Sequence, residues 1–188
     1  MDDFIQSKAQ PLWHVVVLNV LTLSAYTIVW FWKTWRDLAE HANAIDMDVP
    51  SNPALWKLRN ISPVLRTIGG LVPILQIFLT SVLFSRCAEL NPEPNSFAHK
   101  NPIASGMLMT LFMFACLSLY RLPGPLMLLF LLYIAPFVLA QSWLNRFWRS
   151  QEPPNALLRQ AFSAGELTAL ILGSILLGLM LARFAVMH

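Results

Sequence analysis

Proton or metal chemistry in this chain would have to come from His14, His41, His99 and His188 and from the few acids near its apolar runs. A metal site on a helix needs ligands one turn apart on one face. No two histidines are so spaced, and the two cysteines, Cys87 and Cys116, form no CxxC pair. Neither a G-x-S-x-G elbow, a Walker loop nor an intramembrane aspartate pair occurs. His14 beside Trp13 reads as an interfacial side chain, and His41 beside Glu40 as a solvated one. The acid closest to an apolar run is Glu166, in "SAGE" (Ser163 to Glu166), which has the form of a capping box. A helix N-terminus favours such a charge by about 0.3–1 kcal/mol. These residues predict no catalysis, no cofactor and no metal.

The stretch "WFWKTWR" (Trp30 to Arg36) interleaves three tryptophans with two cations, which suits either nucleobase stacking or a bilayer interface. At about 100° per helical residue, Trp30, Trp32 and Trp35 do not share one face, so they make no stacking platform. Asp37 and Glu40 stand close enough to pair with Lys33 and Arg36, which weakens any phosphate patch. No nucleic-acid partner is expected. The remaining reading is a set of interface anchors: Trp30, Trp32, Lys33, Trp35 and Arg36, echoed by Trp143, Arg146, Trp148 and Arg149 in "WLNRFWR". Lys57, Arg59 and Arg66 are further candidates for contact with lipid headgroups or a partner.

The elements that carry these residues follow from composition. Only 12% of the 188 residues are charged, against about 25% in soluble domains. The apolar residues come in blocks, of which 103–120 and 126–144 carry no charge. Runs of roughly 18 or more such residues match a hydrocarbon core about 30 Å thick. The acidic start (Asp2, Asp3) and bulky Trp30 and Trp32 argue against a cleaved signal peptide. The expectation is an all-α polytopic membrane bundle forming a single domain over 1–188. It has spans at about 12–32, 103–120, 126–144 and 165–186, and cytoplasmic loops at 33–60 and 145–163.

Segment 61–88 decides the number of crossings. Ser62, Arg66, Gly69, Pro73, Gln76 and Thr80 fall within an arc of about 80° on one helix face, as in an amphipathic or re-entrant helix. If it crosses, five spans result and Lys plus Arg divide six against seven between the two sides. If it does not, they divide ten against three, as the positive-inside rule requires. Four spans with both termini outside are therefore expected, and five spans are the alternative.

Local signals mark the helix starts. "SNP" (51–53), "ISP" (61–63) and Asn101-Pro102 each place a capping side chain before a proline. "RLPGP" (121–125) reads as a tight turn. In the last span Ser174, Gly178 and Ala182 form a small-xxx-small face suited to close helix packing. Asn19, Gln76 and Gln141 are the deeper amides, fit for interhelical hydrogen bonds or for lining a path.

Tyr26, Trp30, Phe31, Lys33 and Trp35, in a Y-x-x-x-W-F-x-K-x-W exit, combine with Ser62, Pro63 and Arg66, in an S-P-x-x-R helix. Together they resemble a group of small uncharacterised bacterial membrane proteins. That resemblance implies a bacterial inner-membrane location and brings no activity. The expected role is that of a non-enzymatic accessory or scaffold protein contacting membrane lipids, a membrane-protein partner or a second copy of itself. A small transporter or channel-like oligomer is the alternative, and a lipid-modifying enzyme a third class.

Overall fold

The computed structural model of the chain describes residues 7–22, 24–45, 53–153, 156–157 and 161–187. Ser51, Asn52, Arg159 and His188 lie outside the described residues, as does the side chain of Ala182. The described part is all-helical: α1 (Leu12–Leu21), α2 (Tyr26–Ala44), α3 (Pro53–Trp56), α4 (Pro63–Gly69), α5 (Pro73–Glu89), α6 (Phe97–Lys100), α7 (Pro102–Ser118), α8 (Ile134–Gln151) and α9 (Ala164–Met187), with 3₁₀ turns over Leu119–Arg121 and Gly124–Tyr133. Two helices, Pro102–Arg121 and Leu128–Gln151, are long and apolar enough to cross a membrane.

The expected first span, 12–32, is not one helix. Thr22 closes α1, and Ser24 adopts a left-handed φ of 77°. Thr22 Oγ1 donates to Leu18 O at 2.6 Å and accepts from Tyr26 N at 2.9 Å, ending one helix while capping the next. Thr27 Oγ1 donates to Asn19 Oδ1 at 2.8 Å across the turn. In a continuous helix Gln10 and Tyr26 would stand about 24 Å apart, yet Gln10 Nε2 donates to Tyr26 Oη at 2.9 Å. The chain therefore folds back, and α1 with the first half of α2 forms a hairpin. Its ten-residue arm is about 15 Å long, half the thickness of a hydrocarbon core.

Segment 61–88 makes a second hairpin. Ser62 Oγ accepts from Leu65 N at 3.3 Å, the cap expected there, and α4 ends at Gly69. A Cβ on Gly69 would lie 2.9 Å from Leu79 Cδ1, so α5 returns along α4. α4 runs antiparallel to α2, because Arg66 lies over Trp35 while Gly70 faces Phe31. At Asn101 the side chain makes no capping bond, and Ser96 instead caps α6 by accepting from His99 N.

The core lies between α2, α5, α7 and α8. Trp30 packs edge-on to Phe137 with ring centroids 5.2 Å apart, and Phe84 packs on Phe137 at 5.4 Å. α5 and α7 approach at Gly106, where any Cβ would collide with Ser81 and Ser85. In α9 the close contact is Gly173 against Thr22, at the tip of the first hairpin. Ser174 and Gly178, expected to be the packing face, are exposed, and nothing lies within 4 Å of a Cβ at Gly178. α9 instead turns Gly173 inward, where the absence of a side chain admits the Thr22 backbone.

The N-terminal segment is tied to the end of α8. Lys8 N donates to Glu152 Oε1 at 2.6 Å, and Gln10 N donates to Asn145 Oδ1 at 2.9 Å. Lys57 pairs with Glu89 at 3.5 Å, and Arg146 pairs with Glu93. The open ends of both hairpins, the start of α7 and the end of α8 thus share one face. Residues 7–10 sit beside 145–152, where the four-span expectation had put them on opposite sides. The cause is the chain reversal at Ser24, which brings the two segments together.

Candidate functional site

The most elaborate polar arrangement lies where α1, α2, α8 and α9 meet on that face. Tyr26, Trp30 and Lys33 are spaced i, i+4, i+7 and share the inner face of α2. Gln141 and Asn145 are one turn apart on α8, and Glu166 sits in the first turn of α9.

Glu166 is 1% exposed, and each carboxylate oxygen has its own duty. Oε2 accepts from Ser163 N at 2.8 Å, while Ser163 Oγ accepts from Glu166 N at 3.3 Å, completing the capping box. Oε1 accepts from Gln10 Nε2 at 3.0 Å and Tyr26 Oη at 3.2 Å, with Lys33 Nζ 3.7 Å away. A buried carboxylate is tolerated only with such partners. Gln10 relays the network: its Oε1 accepts from Lys33 Nζ at 3.1 Å, and its backbone is gripped by both ends of the Asn145 amide. Asn145 Oδ1 also accepts from Gln141 Nε2 at 2.9 Å, and Gln141 Oε1 accepts from Trp30 Nε1 at 2.7 Å.

The adjoining cavity, lined by Lys8, Gln10, Trp30, Lys33, Asp37 and Gln141 among others, measures about 10 Å³, room for a single water. A second, beside Gln76, Thr27 and Thr80, measures about 40 Å³. Neither could receive a substrate of any size. The cluster works as a latch that fastens α9 and α8 to the first hairpin.

The expected interface anchors separate into two sets. Trp30, Trp35, Trp143 and Trp148 are buried in the core: Trp30 lies against Phe84 and Phe137, Trp148 against His41, and Trp35 against Phe31 and beneath Arg66 of α4. Trp32 is only partly buried and carries Arg36 over its ring at 4.6 Å. Arg36 also meets Asp37 at 2.9 Å and Glu40 at 3.6 Å. Arg146 and Arg149 are exposed at the end of α8. Arg59 lies over Trp56 at 5.8 Å and donates to Ile45 O at 2.8 Å, and Arg66 stacks on Trp35 at 4.3 Å.

Two histidines also differ from expectation. His14 is fully buried against Phe162, ring centroids 4.3 Å apart, because α1 packs on the segment leading into α9. His41 is wedged edge-on against Phe147 and Trp148 at 5.6 and 5.1 Å, and its Nε2 has no hydrogen-bond partner. Burial, and secondarily the charge of Lys8, lower its pKa from the usual 6.5. His99 Nδ1 meets Asn91 O at 2.8 Å. Among the described residues no three His, Cys, Asp or Glu side chains gather as metal ligands would.

Sequence reasoning noted Tyr26 only as a motif residue and missed Gln10 and Asn145. Their signal was the i, i+4, i+7 polar edge of α2 facing an amide pair on α8, visible only once both helices are known to be adjacent. Neither a protein-family model, a curated protein nor a solved structure matches the chain.

Proposed function

We propose that this chain is an integral protein of a bacterial inner membrane that acts without catalysis, as an accessory or scaffold protein holding anionic headgroups through one cationic face. Three segments cross in this reading: α7, the helix 128–151, and α9, whose 24 residues extend about 36 Å. The two hairpins enter from the cytoplasmic side to half depth and return.

One observation carries it. Lys8, Lys33, Arg36, Lys57, Arg59, Arg66, Arg86, Lys100, Arg146 and Arg149 belong to the face where the hairpins open, whereas Arg121 and Arg183 lie toward the other ends of α7 and α9. That asymmetry is stronger than the ten against three expected of four spans, and it orients this face to the cytoplasm. Half-buried cations beside tryptophans, as in Trp32–Arg36 and Trp56–Arg59, suit an anionic leaflet, where each Lys or Arg near the surface contributes about 1 kcal/mol.

The transport alternative has less behind it. Both amide atoms of Gln141 are engaged, and Gln76 borders a space of about 40 Å³. The test is flotation of the purified protein, reconstituted with its cationic face outward, against vesicles of increasing phosphatidylglycerol content. Tethering should rise with anionic lipid and disappear when Arg36, Arg59, Arg146 and Arg149 become Gln. Tethering indifferent to lipid charge would refute the proposed role.

A further inference from the structure

Among the described residues, the groove between α5 and α7 is an open apolar space with charged side chains at one end. It measures about 660 Å³, within the range of ligand sites. Its walls are Ile74, Ile77, Phe78, Ile103, Met107 and Leu111, all exposed. Its rim, at the cationic face, is made by Lys57, Arg86 and Glu89. Glu89 bridges the two cations, Oε1 standing 3.5 Å from Lys57 Nζ while Oε2 meets Arg86 Nη1. Two cations against one carboxylate leave the rim with a surplus of one positive charge, matched to a phosphodiester.

Length points to the same occupant. From Ile74 to Glu89 the groove follows α5 for about 22 Å, one leaflet of about 15 Å plus its headgroup region. The groove exists because Gly106 lets α7 touch α5 at Ser81 and Ser85, while the larger side chains on either flank stand away. A second open space, about 530 Å³ between α1 and α8, is lined by Val16, Val20, Leu131 and other apolar residues, with Ser142 but no cation. It offers nothing to select a headgroup.

We propose that the α5–α7 groove is a binding site for one anionic phospholipid, its acyl chain lying along Phe78, Met107 and Leu111 and its phosphate held by Lys57 and Arg86. The assignment rests on the membrane-embedded reading above. It goes beyond the cationic face in naming one lipid, one site and a stoichiometry. Glu89 orients both cations and yields part of its pairing when the phosphate arrives.

The test is native mass spectrometry of the full chain in mild detergent, titrated with dipalmitoyl phosphatidylglycerol, with phosphatidylcholine of the same chains, and with glycerol 3-phosphate. One phosphatidylglycerol should bind at least about ten-fold more tightly than phosphatidylcholine, as two headgroup-facing cations would give, and glycerol 3-phosphate should not bind. Lys57→Gln with Arg86→Gln should abolish the preference. Met107→Trp, at an exposed position, should weaken both phospholipids, and Arg121→Gln should change nothing. Equal binding of the two phospholipids, unsaturable binding of many copies, capture of glycerol 3-phosphate alone, or indifference to the rim variants would overturn the assignment. If the chain proves extractable from membranes without detergent, the membrane-embedded reading fails. If it stays integral while the titration fails, only the groove assignment falls.

Discussion

Lys33 Nζ stands 3.7 Å from Glu166 Oε1 and joins the middle of α2 to the first turn of α9. The carboxylate is 1% exposed and the lysine side chain 21%. Removing one partner of a buried ion pair costs about 3–5 kcal/mol, and Gln10 Oε1, which still accepts from Lys33 Nζ, puts the loss at the lower end. Glu166→Leu should therefore destabilise by an amount near that range. Lys33→Met in the same chain should recover part of the loss. Denaturation in detergent of both single variants and the double variant measures the coupling; additive effects would show that the two residues do not act as a pair.

Small residues divide sharply by position. Gly106→Leu must force α5 away at Ser81 and Ser85, and Gly173→Leu must displace Thr22. Each should cost about 1–3 kcal/mol, the usual penalty of overpacking, or more where backbone has to move. Gly178→Leu should be nearly silent in the isolated chain, because nothing lies within 4 Å. Thermal unfolding of the three variants separates these outcomes.

Ser24 holds a left-handed φ of 77°, a region that costs a non-glycine residue about 1–2 kcal/mol. Ser24→Gly relieves that cost and gives back some of it as chain entropy in the unfolded state. The net expectation is a gain of about 1 kcal/mol or less. Ser24→Val should destabilise, since a β-branched side chain is poorly tolerated there. The melting temperatures of the two variants should move in opposite directions.

His41 gives the fold a pH dependence of defined sign. Its folded pKa lies below 6.5 because burial against Phe147 and Trp148, helped by Lys8, disfavours the charged ring. The unfolded chain takes up a proton at that position first as pH falls. The stabilisation is present above pH 6.5 and is lost as pH drops through the lower folded value. His41→Phe should flatten this limb between pH 7 and 5 in a stability profile.

Much of the architecture was legible in composition. The charge-free blocks at 103–120 and 126–144 became the two helices long and apolar enough to cross, and "SAGE" became a capping box with both reciprocal bonds. The S-P-x-x-R segment reads as one helix with a polar stripe, but it breaks after Gly69 into α4 and α5, so the stripe's residues do not share a single helix face. The first block misled because hydropathy averages over Thr22, Ser24 and Thr27. Their hydroxyls, with Asn19, form a turn inside an otherwise apolar run, and no window average detects a single left-handed residue. The tryptophans misled for a related reason. A helix face rich in Trp reads alike whether it meets lipid headgroups or another helix, and only the packing of α2 on α8 assigns Trp30 to the core. The Glu166 cluster required tertiary knowledge, since Gln10, Lys33, Asn145 and Glu166 come from four separate parts of the chain.

In the proposed topology the first hairpin enters to half depth, which leaves three crossings and puts residues 7–10 on the cytoplasmic side. Single cysteines at Lys8, Asn95 and Arg121, in a chain whose buried Cys87 and Cys116 are replaced by alanine, can be probed with an impermeant maleimide on intact cells. Arg121→Cys alone should be labelled, with Lys8→Cys and Asn95→Cys reacting only after the membrane is opened. Labelling of Lys8→Cys together with Arg121→Cys on intact cells would mean that residues 12–32 cross the membrane, and would contradict that topology.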